Sequence, residues 1–268
     1  MEKEIKIADS KILYRVYGSG PTIVLVHGFG ETGEVWSNQV DFLKKSYRLI
    51  VPDLPGSGAS EMIDDMSMEG MAEAVRLIIE KERPDTSEKS LPIMIGHSMG
   101  GYITLAFAEA HPSELRGMGL FHSSAFADSQ EKIATRRKGI EFIRQHGAFE
   151  FLKNATPNLF SPRSKDEKAE FIDQFISSLN NFSPQALVSY YESMIKRPDR
   201  TSVLKKVKIP VLFVLGKYDA AIPIEDGLKQ CHLPEKSYIH VLHESGHMGM
   251  VEESDKSNRL LETFFSEN

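Results

Sequence analysis

Two segments near the start of the chain, "EIKIA" from residue 4 and "KILYRVYG" from residue 11, alternate charged and apolar residues. That period of two predicts a hairpin of strands with one dry face and one wet face. Further along the alternation stops, and uninterrupted apolar runs recur: "TIVLV" from 22, "RLIVPD" from 48, "LPIMIG" from 91, "MGLF" from 118, "PVLFVLG" from 210 and "YIHVL" from 238. Runs of this kind predict strands covered on both faces, as in a parallel sheet. Between them lie helical patterns: "EVWSNQVDFLKK", "MEGMAEAVRLIIEKE", "MGGYITLAFAEAH", "EDGLKQC" and "SDKSNRLLETFF". Strand and helix in alternation define an α/β class.

One stretch departs from this rhythm. Residues 129–200 carry only helical segments, such as "KIATRRKGIEFIRQHG" and "KDEKAEFIDQFISSLNNF", broken by Pro157, Pro162 and Pro184. The expected organisation is therefore a core of residues 1–128 and 201–268 with a helical insertion, a cap or lid, at 129–200. The insertion has a net charge of +3 and the remainder −9, which reads as a solvated basic face on the insertion. It also holds nine of the 24 aromatic residues, enough to pack it and to wall a pocket where it meets the sheet.

With 268 residues, 41% hydrophobic and 26% charged, the composition is that of a globular protein. A net charge of −6 gives no general attraction to nucleic acid or anionic membranes, so neither is expected as a partner. The first twenty residues lack a hydrophobic core of the signal-peptide kind, and no apolar run approaches the about 18 residues of a membrane span, so a cytoplasmic location is expected. The lone Cys231 has no partner for an internal disulfide and reads as a buried, idle thiol.

Two motifs follow apolar strands. The first has Gly28, Gly30 and Gly33 in G-x-G-x-x-G spacing, with Asp53 twenty residues beyond Gly33, a pattern that fits a dinucleotide site. The second is "GHSMG" at 96–100, which matches G-x-S-x-G between a strand and a helix. That sharp turn lifts the Ser98 hydroxyl from the sheet edge, and helix amides behind it can stabilise an oxyanion. Serine needs a base and an orienting acid. "LGKYDAAIP" places Asp219 just past one predicted strand, and "LHESGHMGM" places His247 just past the last, at the sheet edge where open α/β folds build their sites. His243 is a rival base. No His, Cys or carboxylate set has metal-site spacing, and no cofactor is expected.

With "HGFG" at 27, "DLPGSGAS" at 53, "GHSMGG" at 96, "GKYDAAIP" at 216 and "SGHMGMVEE" at 245, the chain resembles the α/β-hydrolase superfamily, in particular its small serine esterases and haloperoxidase-like members. The resemblance implies a mostly parallel eight-stranded sheet with helices on both faces and a helical cap. It also implies Ser98 as nucleophile, Asp219 as acid and His247 as base, with the Phe29 and Met99 amides as oxyanion hole. Gly28, His97, His122 and Trp36 are candidates for the substrate pocket, and His27 and Asp53 for loop organisers. The expected activity is hydrolysis of a small to medium carboxylic ester or acyl substrate through an acyl-enzyme. A receptor that keeps the triad and an NAD-dependent oxidoreductase are the alternative readings.

Overall fold

The computed structural model describes residues 1–83 and 90–268. Eight strands form one sheet: β1 (Glu2–Ile7), β2 (Ser10–Tyr17), β3 (Thr22–Val26), β4 (Arg48–Pro52), β5 (Ile93–His97), β6 (Gly117–Phe121), β7 (Val211–Gly216) and β8 (Ser237–Leu242). Their spatial order is β1-β2-β4-β3-β5-β6-β7-β8. The two alternating segments pair antiparallel to each other and to β4, whereas every later pair is parallel. This is the α/β-hydrolase fold, and its eight-stranded, mostly parallel sheet agrees with the apolar runs.

Because successive side chains point to opposite faces, each buried strand feeds two cores. Val24, Val26, Met94, Met118, Leu120, Val211 and Phe213 pack with helices α2 (Met68–Glu82) and α3 (Met99–Ala110) on one face. Ile23, Leu25, Ile93, Ile95, Phe121, Leu212 and Val214 pack on the other, against α1 (Ser37–Leu43) and α12 (Ser254–Glu267). "YIHVL" departs from expectation. As β8 it is the edge strand, so it is only half-buried and leaves Ile239 47% exposed.

Between β6 and β7 the described chain is helical: α4 (Gln130–His146), α5 (Ala148–Ala155), α6 (Pro162–Glu167), α7 (Ala169–Ser178), α8 (Pro184–Lys196) and α9 (Thr201–Lys206). Its basic excess is not all solvated. Arg200, 3% exposed, bonds Glu109 of α3 at 2.9 Å and Glu69 of α2, while Arg136 and Arg197 share the buried Asp128. Ion pairs thus tie both ends of the insertion to the core. Further along, α10 (Ile224–Leu228) and α11 (Gly249–Glu252) follow the last two strands. Among the described residues no helix is long and apolar enough to cross a membrane.

Phe264 of α12 is fully buried, with its ring 5.1 Å from Tyr238 of β8 in an edge-on arrangement. Phe264→Ala is expected to cost about 3–5 kcal/mol through the cavity it leaves. Urea unfolding should show this as a lower midpoint with an unchanged slope.

Candidate active site

Strand β5 ends at His97 and α3 begins at Met99, so the chain turns on one residue. Ser98 does this at φ 49°, ψ −115°, a conformation that costs a non-glycine residue about 1–3 kcal/mol. The turn closes because its neighbours have no side chains. A Cβ on Gly96 would lie 2.2 Å from the Gly100 carbonyl oxygen, and one on Gly100 would lie 2.5 Å from that of Val26. The Ser98 N–H donates to the Phe121 carbonyl at 3.0 Å, and its own carbonyl accepts from the Gly101 amide at 2.9 Å and the Ser123 hydroxyl at 2.7 Å. With its backbone fixed to β6 and α3, the serine side chain faces the space above the strand ends.

Asp219 follows β7 and is 6% exposed. Its Oδ1 accepts from the Ala221 and Ile222 amides at 2.9 and 2.8 Å, which fixes the plane of the carboxylate. Its Oδ2 accepts from two imidazoles, His247 Nδ1 at 2.8 Å and His122 Nδ1 at 3.2 Å. Burial opposes the charge on Asp219, but the two rings outweigh it and hold the carboxyl well below its ordinary value. For His247 burial acts downward, the adjacent Asp219 acts upward, and the upward effect prevails. His122 differs because its Nε2 accepts from the Gly249 amide at 3.2 Å, so its single ring proton is on Nδ1. Burial, the largest influence on His122, lowers its proton affinity.

Ser98 and His247 line one cavity of about 130 Å³, together with Phe29, Glu31, Tyr102, Arg136, Leu159, Tyr191, Met194, Ala221 and Ile222. Phe29 lies on the loop after β3, stacked 4.3 Å from the Tyr191 ring of α8. Its N–H has no partner among the described residues, and the Met99 N–H opens α3, where a helix offers no carbonyl to receive it. A serine hydroxyl, an acid-oriented imidazole and two nearby amides can together perform acyl transfer.

The pocket candidates Gly28, His97, His122 and Trp36 do not line this cavity. His97, His122 and Trp36 are fully buried behind its wall, with Trp36 edge-on to Phe121 at 5.4 Å. For His97 and His122 a position at a strand end did not put the side chain on the ligand side, and Trp36 lies in a short helical turn ten residues past β3. His243 is exposed and does not line this cavity. His27 Nδ1 donates to its neighbour's carbonyl and Nε2 accepts from Leu54, while Asp53 accepts from Gly33 and Arg15. Asp53 is thereby committed within the glycine loop itself. Cys231 is buried and donates to the Gly227 carbonyl, and burial pushes its pKa up to about 11.

His122, Asp219 and His247 are a group whose ligand-type atoms fall within 4.8 Å of one another. A metal there would have to displace ring protons already bonded to the carboxylate. Sequence reasoning missed Arg136, Tyr191 and Met194, because only the packing of the insertion turns them toward Ser98, and it missed Tyr102, which lies one turn along α3 from Ser98. It also missed Glu31, for which a lone carboxylate in an apolar glycine turn was a usable signal.

This fold and constellation define a hydrolase. A model of the alpha/beta hydrolase family matches residues 23–259, and the chain belongs to that family. Among relatives, a pimeloyl-[acyl-carrier protein] methyl ester esterase of Methylococcus capsulatus is 25% identical over 93% of this chain and 96% of its own length. A 2-hydroxy-6-oxononadienedioate/2-hydroxy-6-oxononatrienedioate hydrolase of Paraburkholderia phymatum is 23% identical over 97% and 92%. Among solved structures, a thermophilic esterase from Thermogutta terrifontis superposes with a TM-score of 0.90 at 26% identity, covering 100% of this chain and 98% of that one.

If Asp219 holds up the proton affinity of His247, Asp219→Asn should drop it below the ordinary imidazole value of about 6.5, since burial, the largest influence, is then opposed only by the smaller effects of Glu31 and Glu252. A titration of the His247 ring protons by NMR measures this. An unmoved midpoint would contradict the assignment.

Proposed function

We propose that this hydrolase is a serine esterase that cleaves small to medium carboxylic esters beneath its helical cap. The observation that carries the reading is the 2.8 Å bond from His247 to Asp219, with His247 facing the same cavity as Ser98. In this mechanism Ser98 Oγ attacks the ester carbonyl as its proton passes to His247 Nε2. The Phe29 and Met99 amides hold the tetrahedral oxyanion. His247 returns the proton to the leaving alcohol, and an acyl-Ser98 remains. Water, deprotonated by the same imidazole, attacks the acyl-enzyme, and expulsion of Ser98 yields the acid. The relatives named as esterases support ester cleavage, while the relative named as an oxo-dienoate hydrolase makes carbon–carbon cleavage the second reading.

Ser98→Ala should lower kcat by about 10⁴-fold or more on p-nitrophenyl esters, because triad members act as a unit. Retained turnover would refute the assignment. His247 is a base only when neutral and its proton affinity is raised, so kcat/KM should climb with pH along a limb centred above about 6.5. In a series of acyl lengths, a cavity of about 130 Å³ favours the short members.

Arg136 brings a guanidinium to the cavity wall, where it and Arg197 have a single carboxylate, Asp128, between them. Within the ester class, a remote carboxylate should therefore be preferred. Methyl hydrogen glutarate should have a kcat/KM about ten-fold above that of its neutral amide isostere, roughly the worth of one partly buried charge-assisted bond. Arg136→Gln should bring that ratio close to one.

A further inference from the structure

Glu31 is 4% exposed in the loop after β3, at the edge of the cavity floor. Its Oε2 accepts from the Gly28 amide at 2.7 Å and faces His97 Nδ1 at 2.9 Å. On the opposite side of that ring, His97 Nε2 lies 2.9 Å from the backbone carbonyl oxygen of His247. A neutral imidazole has one N–H to donate, yet both nitrogens of His97 face acceptors. The ring is thus held between the Glu31 carboxylate on one side and the His247 carbonyl on the other. Burial opposes the charge on Glu31, but the His97 ring and the Gly28 amide overcome it and keep the carboxyl below its ordinary value. The other rings around His97 are Trp36, Phe121, His122 and His247, at 6.3, 6.4, 6.1 and 4.9 Å, and none brings a second negative charge.

We propose that Glu31 and His97 form a buried positioning pair that locks the loop bearing the Phe29 amide, the strand end bearing Ser98 and the backbone of His247 into one unit. The inference rests on the serine-esterase reading. Those three segments leave the sheet from β3, β5 and β8, which are separate in sequence, and the pair bonds directly between them. Glu31 and His97 act through Gly28 and His247 rather than on the substrate. Without the carboxylate charge, the charge-assisted link between the loop and the His97 ring is weakened. A displacement of about 1 Å at a reacting group costs roughly 100-fold in rate.

The test uses the whole protein. Glu31→Gln should lower kcat on a p-nitrophenyl ester by about 10–100-fold, with KM within about two-fold, and Glu31→Asp, which keeps the charge, should recover part of the loss. A merely structural role would lower the melting temperature without that split. Glu31→Gln with full kcat overturns the pair. If Glu31→Gln does not fold, His97→Gln is read in the same assay, and full kcat there overturns the pair. The two proposals separate here, since absence of Ser98-dependent turnover refutes the esterase reading, and the pair is then judged by whether Glu31→Gln moves the Met248 amide resonance, next to the His247 carbonyl, as it should.

Discussion

The one-residue bend at Ser98 is the constraint on which the rest of the site depends. A strand that stops at His97 and a helix that starts at Met99 leave no room for a relaxed connection, so the backbone takes a positive φ. Surrounding structure must hold a conformation of that kind in place. Here β6 receives the Ser98 amide, and Gly96 and Gly100 let the turn close. The adjacent strand repeats the device, because His122, directly after β6, also has φ 49°. One bend aims a hydroxyl outward to the cavity. Its neighbour aims an imidazole inward to Asp219.

Three buried carboxylates hold residues that line the cavity or carry its loops, and each is matched by a different partner. Asp219 has two imidazoles and two amides, Glu31 has His97 and the Gly28 amide, and Asp128 has two guanidiniums. A buried charge without such partners would cost several kcal/mol. The partners also differ in what they fix. Around Asp219 they orient a base, around Glu31 they join loops, and around Asp128 they place a cation on the cavity wall.

Sequence patterns disclosed the sheet well, because a strand buried on both faces needs an unbroken apolar run, and those runs coincide with β3 to β7. Ser98, Asp219 and His247 were legible for a related reason, since each directly follows a strand or lies within a few residues of its end. What strand-end position does not encode is the direction in which a side chain leaves. His97 and His122 therefore read as pocket residues although they lie behind the wall. The opposite error affected the insertion. Arg136, Tyr191 and Met194 occupy ordinary helical positions, and only the docking of α4 and α8 over the strand ends brings them to Ser98. Buried Arg200 shows how that docking is anchored, through carboxylates on α2 and α3 that look like solvated charges in the sequence.

The His247 amide donates to the carbonyl of Leu159, within the insertion, at 2.7 Å. Close by, Glu252 receives the Ser161 amide at 2.7 Å, and Lys168 donates to the carbonyls of Val251 and Glu252. The segment from 159 to 168 is thus sewn to the loop that carries the imidazole. If this side swung away to admit a ligand, it would drag His247 with it and dismantle the site at the moment of loading. The sewn margin therefore serves as the fixed jamb of the cavity, holding the imidazole still whatever enters.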